Sequence, residues 1–116
     1  MAFWNRNAQR KPAYCYILDS CKIPNTDETS EVEDPMVYVK LFDPCGSWTW
    51  YLTEANTVTG EAFGLVNGWE LELGSVDLNE LADTKLQFGL RIERDIHFKP
   101  MPLSEVRAKL EAGKHV

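Results

Sequence analysis

The chain has 116 residues, a formal net charge of −6, 44% hydrophobic residues and 26% charged residues. These bounds fit one globular domain that builds its own core, and they exclude a disordered chain. The net charge weighs against nonspecific adhesion to nucleic acid or anionic membrane as the main activity. No stretch approaches the ~20 apolar residues of a membrane span, and the start, Met1-Ala2-Phe3-Trp4-Asn5-Arg6, lacks the apolar run of a signal peptide. The expected location is therefore the cytoplasm. Cys15, Cys21 and Cys45 are odd in number and irregularly spaced, which points to free thiols in a reducing compartment. A zinc site joining them to His97 is disfavoured because there is no Cys-x-x-Cys pair.

In chain order, Arg6, Arg10 and Lys11 form a basic arm beside Phe3 and Trp4. Tyr14-Cys15-Tyr16-Ile17-Leu18 reads as a short edge strand bounded by Pro12 and Asp19. Between Pro24 and Pro35 the residues Asp27, Glu28, Glu31, Glu33 and Asp34 accumulate around a single strongly apolar Val32, the pattern of a solvated, mobile loop. Residues 1–35 are accordingly expected to be an N-terminal extension, and residues 36–116 the domain.

Residues 36–42 open the sheet with Val37, Val39 and Leu41 on one face, and Asp43-Pro44-Cys45-Gly46 supplies a turn. The next strand, Ser47 to Glu54, sets Trp48, Trp50 and Leu52 on a core face against Thr49, Tyr51 and Thr53. Glu61 to Val66 follows, with Phe63 and Leu65 sharing a face. Asn67-Gly68 predicts a tight primed hairpin turn leading directly into Trp69-Glu70-Leu71-Glu72-Leu73. There Trp69, Leu71 and Leu73 are expected inside and Glu70 and Glu72 outside, with Gly74 as a bulge or the strand's end.

Asp77-Leu78-Asn79-Glu80 has the form of a helix start, and Leu78, Leu81 and Ala82 form the buried side of that helix. Gly89 closes the next turn. Period two returns from Arg91 to Phe98, placing Ile92, Arg94, Ile96 and Phe98 on one face and Glu93, Asp95 and His97 on the other. After Pro100 and Pro102, Ser104 is the expected cap of a last helix, Glu105 to Ala112. The sum is an α+β fold, a mainly antiparallel meander of four to six strands with two short helices.

A set of motifs carries a resemblance: Lys40-Leu41-Phe42-Asp43-Pro44, Thr49-Trp50-Tyr51-Leu52-Thr53-Glu54, Ala62-Phe63-Gly64-Leu65, Glu72-Leu73-Gly74-Ser75-Val76, Ile92-Glu93-Arg94-Asp95 and Phe98-Lys99-Pro100. Over residues 36–104 the chain resembles the bacterial domain-of-unknown-function family 2958. The resemblance implies no activity that can be carried over residue by residue. It implies a setting, because members are similar to genes of plasmids, phages and other mobile elements, sometimes beside DNA-processing functions.

Glu93, Asp95 and His97 are candidates for general acid–base work, and Asp95 with His97 for a metal, because i, i+2 and i+4 share one strand face. The competing reading is an ordinary charged solvent-facing strand. Arg94 on the apolar face is expected to be structural, as are Trp48, Trp50 and Trp69. There is no phosphate-binding glycine loop and no Gly-x-Ser-x-Gly element.

The remaining signal is charge. Between Lys40 and Lys85 there is no lysine or arginine but eight acids. Glu54, Glu70 and Glu72, with Asp27, Glu28, Glu31, Glu33 and Asp34 of the loop, are the candidate binding residues. The leading expectation is a non-enzymatic protein, without a cofactor, that opposes its acids to a basic protein partner, as an anti-CRISPR or anti-restriction factor or a DNA-processing accessory would. The alternatives are an enzyme or metal protein at Glu93, Asp95 and His97, and a nucleic-acid accessory using the basic arm.

Overall fold

A computed structural model describes residues 15–18 and 20–116. Five strands form one antiparallel sheet in the order β5-β4-β3-β2-β6: β2 (Val39–Phe42), β3 (Thr49–Ala55), β4 (Glu61–Asn67), β5 (Leu71–Asp77) and β6 (Glu93–Arg94). A second, two-stranded sheet pairs β1 (Met36–Val37) with β7 (Met101–Pro102). The helices are α1 (Leu78–Asp83) and α2 (Leu103–Glu111). The expected α+β class and meander are present.

The inner strands β2 and β3 of the large sheet are buried on both faces, and this corrects the one-sided reading of β3. Trp50 and Leu52 join Val39, Leu41, Ala62, Val76, Leu78, Ala82 and Ile92 in one core. Tyr51, expected outside, joins Leu65, Val106 and Val37 in a second core that α2 covers. The chain breaks step at Tyr38, whose amide reaches the Leu52 carbonyl at 2.9 Å. Val37 therefore departs from the face of Val39 and Leu41 and enters the second core. Phe63 and Leu65 do share a face, as their spacing predicts.

Three further differences have local causes. The β4–β5 turn is Gly68-Trp69-Glu70, with Asn67 paired to Leu71, so the two-residue Asn67-Gly68 turn does not form. Trp69 thereby leaves the sheet for the hairpin tip and is 91% exposed. Gly74 marks neither a bulge nor an end, because the β4–β5 register runs unbroken through Gly64↔Gly74 to Asp77. The irregularity lies instead in β3, where Thr53 is the extra residue between Leu52↔Gly64 and Glu54↔Phe63. Its hydroxyl donates to the Phe63 carbonyl at 3.2 Å.

The described part of the N-terminal segment is packed into the domain. Residues 15–18 form no strand, yet Tyr16 and Ile17 are buried in the first core, and the Tyr16 hydroxyl donates to the Ile92 carbonyl at 3.0 Å. The basic arm and Tyr14 lie outside the described residues. Residues 24–35 form successive turns anchored at both ends, in contrast to the mobile loop expected from their composition. The Ala55 amide donates to the Pro24 carbonyl and the Leu103 amide to the Pro35 carbonyl, each at 2.9 Å.

Asp77 caps α1 as predicted, accepting from the Asn79 amide at 2.9 Å. In α2 the expected capping relation is reversed. The helix begins at Leu103, and Asp34 of the acidic loop accepts from the Ser104 amide at 2.9 Å and the Ser104 hydroxyl at 2.6 Å. Those two hydrogen bonds, the hydroxyl's first, hold the Asp34 carboxyl below its ordinary range.

Candidate functional site

Two regions gather chemistry, and the sheet topology brings them to the same end of the molecule. Antiparallel order puts the β2–β3 and β4–β5 turns together there, beside the start of β6, since Phe42 pairs with Glu93.

The first region is the hairpin tip. Trp48, after the β2–β3 turn, packs on Trp50 and meets the Trp69 ring edge-to-face at a centroid distance of 6.0 Å. The Trp48 ring lies over Gly68, and a Cβ there would come within 2.3 Å of it, so a side chain at this position would have to displace the indole. A groove of ≈ 260 Å³ runs between Trp48, Trp69, Glu70 and Glu72. Both glutamates are exposed, Glu70 in the turn and Glu72 on the edge strand β5.

On the other flank of the β2–β3 turn, the Cys45 thiol faces the Gln87 carbonyl at 3.8 Å. The neighbouring Phe88 is 93% exposed and sits in the left-handed region, φ 60. That conformation is costly for a bulky residue. This end thus displays Trp69 and Phe88 over an acidic rim.

The second region is a cavity of ≈ 480 Å³ on the α2 side of the sheet, lined by Lys40, Tyr51, Glu93, Asp95 and His97 among others. The expected strand from Arg91 to Phe98 is cut to Glu93–Arg94. Asp95 ends it, because its carboxylate accepts the His97 amide at 2.9 Å and its carbonyl accepts the Phe98 amide at 3.2 Å. Ile96 is consequently exposed, whereas Phe98 still reaches the second core. Glu93, Asp95 and His97 line one cavity by virtue of this turn rather than of strand alternation.

The other Asp95 oxygen pairs with Lys40 Nζ at 3.4 Å. Lys40 is 3% exposed, lies 6.0 Å from the Tyr51 ring centroid, and donates to the Val116 main-chain oxygen. Burial raises the Tyr51 pKa and the Asp95 charge adds to it, while the nearby Thr49 hydroxyl works in the opposite direction. Thr49 Oγ1 is itself buried without a well-formed hydrogen bond. Among the described residues no three His, Cys, Asp or Glu side chains come together as a metal set. Lys40 and Tyr51, absent from the sequence candidates, are among the polar groups that line the cavity. The signal was a lysine alternating with strand apolars.

The other candidates are dispersed. Glu54 is buried and turned toward the acidic loop, where its carboxylate accepts the Asp27 amide at 2.9 Å, the Thr29 amide at 2.8 Å and the Thr29 hydroxyl. It is consumed as an anchor and leaves the anionic face. Asp34 is likewise engaged with Ser104. Asp27, Glu28, Glu31 and Glu33 are exposed on the loop.

Arg94 Nε donates to the Cys15 carbonyl at 2.6 Å, tying the N-terminal segment to β6. Replacing it with alanine removes that hydrogen bond and the packing of the arginine side chain. Arg94→Ala is expected to cost about 1.5–3 kcal/mol, read as a lowered midpoint in urea. Trp50 is a core residue and Trp48 is half-buried, whereas Trp69 is not structural in that sense.

An anionic, aromatic-tipped α+β meander with a largely apolar cavity around Lys40 beside the same hairpins is therefore the class of protein that the fold defines. The family described as "Protein of unknown function (DUF2958)" matches residues 19–114, and the chain belongs to it. The match begins ahead of the acidic loop, well before residue 36, in keeping with the loop's anchorage to Glu54 and α2. No curated protein and no solved structure matches the chain.

Proposed function

We propose that this is a small non-enzymatic protein of a mobile genetic element that docks its hairpin end on a basic protein surface. It would act as an anti-CRISPR or anti-restriction factor, or as a DNA-processing accessory. The observation that carries the reading is Trp69, 91% exposed at a hairpin tip and followed by Glu70 and Glu72. An exposed tryptophan beside carboxylates suits arginine and lysine, which it meets through cation–π contact and charge pairing. The acids of the 24–35 loop add a long-range field that steers a cationic partner.

The test is displacement of labelled duplex DNA from a defence nuclease with a cationic DNA groove. The wild-type protein is expected to displace the DNA, less effectively as salt rises. Trp69→Ala is expected to melt as the parent does and to lose about 30-fold in affinity, the size of an interface hot spot. Undiminished displacement by folded Trp69→Ala would refute the docking surface.

A second reading, a hydrolytic or metal-dependent enzyme, draws on Asp95 and His97 sharing the Lys40 cavity. Under the leading reading His97→Ala keeps full displacement activity. Loss of function with a normal melting temperature would favour the enzyme instead.

A further inference from the structure

The cavity beside Lys40 has features that docking at the hairpin tip does not use. An ammonium carries three donors. Lys40 points one at Asp95 and one at the Val116 main-chain oxygen, and among the described residues no acceptor meets the third. A buried donor left over at a cavity wall is a place for a ligand atom. The walls around it are largely apolar, from Phe42, Trp48, Tyr51, Ile96 and Leu110, and His97 and Lys114 are exposed at the rim. The Val116 oxygen reaches Lys40 from the short segment after α2, which belongs to no helix or strand. It occupies the position that an acceptor oxygen of a ligand would take.

We propose that this cavity binds a small carboxylate with an apolar or aromatic body, whose oxygens replace the Val116 oxygen on Lys40 and release residues 114–116. Asp95 already offsets much of the Lys40 charge, so a monoanion fits better than a phosphate dianion. The aromatic walls supply the surface that the body of such a molecule buries. Carboxylate binding at Lys40 does not require docking at Trp69, although the two sites share Trp48.

The experiment titrates benzoate into the full chain, with inorganic phosphate in parallel, and follows the amide NMR signals. Benzoate is expected to move the signals of Lys40, Tyr51 and residues 114–116 along one saturable curve, with the 114–116 signals ending at free-chain positions, and phosphate is not. Lys40→Met is expected to weaken benzoate binding about tenfold or more, the scale of a lost charge-assisted hydrogen bond. Should that variant fail to fold, Ile96→Trp fills the cavity from a residue that is 59% exposed. It is expected to melt as the parent does and to lose benzoate binding. A non-saturating titration, equal shifts with phosphate, parental affinity in folded Lys40→Met, or undisturbed binding in Ile96→Trp would each overturn the proposal.

Discussion

Gly64→Ala is expected to lower the melting temperature by roughly 10–15 °C. Gly64 lies in β4, an interior strand of the sheet, opposite Leu52 on β3. A Cβ at that position would lie 2.0 Å from the Tyr51 carbonyl oxygen and 2.9 Å from the Leu52 Cα, both main-chain atoms. A flexible side chain could move aside from such a contact, but a central strand cannot do so without pulling its own ladder apart. The expected cost is about 3 kcal/mol, at the upper end of overpacking penalties. Thermal unfolding followed by circular dichroism measures it. A Gly64→Ala protein melting within a degree or two of the parent would show that β3 and β4 are farther apart than described.

Glu54→Ala is expected to cost about 3 kcal/mol as well, for an electrostatic reason. The β3 bulge at Thr53 re-aims Glu54 from the first core toward the acidic loop. There its carboxylate gathers the Asp27 amide, the Thr29 amide and the Thr29 hydroxyl. Removing it leaves those donors without their acceptor at a part-buried site. Burial by itself would raise the Glu54 pKa, but the Thr29 hydroxyl and the Asp27 and Thr29 amides outweigh it, and the net shift is downward.

The sign of the pH effect follows. A carboxyl with a depressed folded-state pKa stabilises fully above its unfolded value, about 4.3 for glutamate, and loses that contribution as pH falls through the folded value. Stability of the parent should therefore decline on acidification below about pH 4.3 more steeply than that of Glu54→Gln. Asp34 titrates in the same direction, and the difference between the two proteins isolates Glu54. Parallel pH profiles would contradict the assignment.

The hairpins were legible because alternation and turn chemistry are local: Val39 and Leu41, Trp50 and Leu52, and the Asp77 cap all stand where their neighbours in sequence place them. The failures are cooperative. Burial of both sheet faces depends on α2, which arrives after β6 and covers Tyr51 and Leu65. Asn67-Gly68 has the composition of a two-residue turn. Trp69 nevertheless stays outside the sheet, where its ring contact is with Trp48 on a different hairpin.

The fate of each carboxylate was the least legible property. Glu54 and Asp34 look like their neighbours in sequence, yet a bulge and a helix start turn both into intramolecular anchors, Glu54 buried and Asp34 at the surface. The cavity depends on a contact between Lys40 and Val116, 76 residues apart, which no local pattern announces. The family resemblance was legible from short motifs, but its true extent, from residue 19, was not, because the acidic loop has no hydrophobic period to reveal its anchorage.

We propose the hairpin tip, rather than the cavity or the acidic loop, as the partner surface. Titration of the protein with an arginine-rich peptide, followed residue by residue through amide and indole NMR signals, tests it most directly. Saturable shifts centred on Trp48, Trp69, Glu70 and Glu72 are expected, diminishing with added salt and disappearing in Trp69→Ala. Shifts centred on residues 24–35 or on the Lys40 cavity, with Trp69 unmoved, would contradict it.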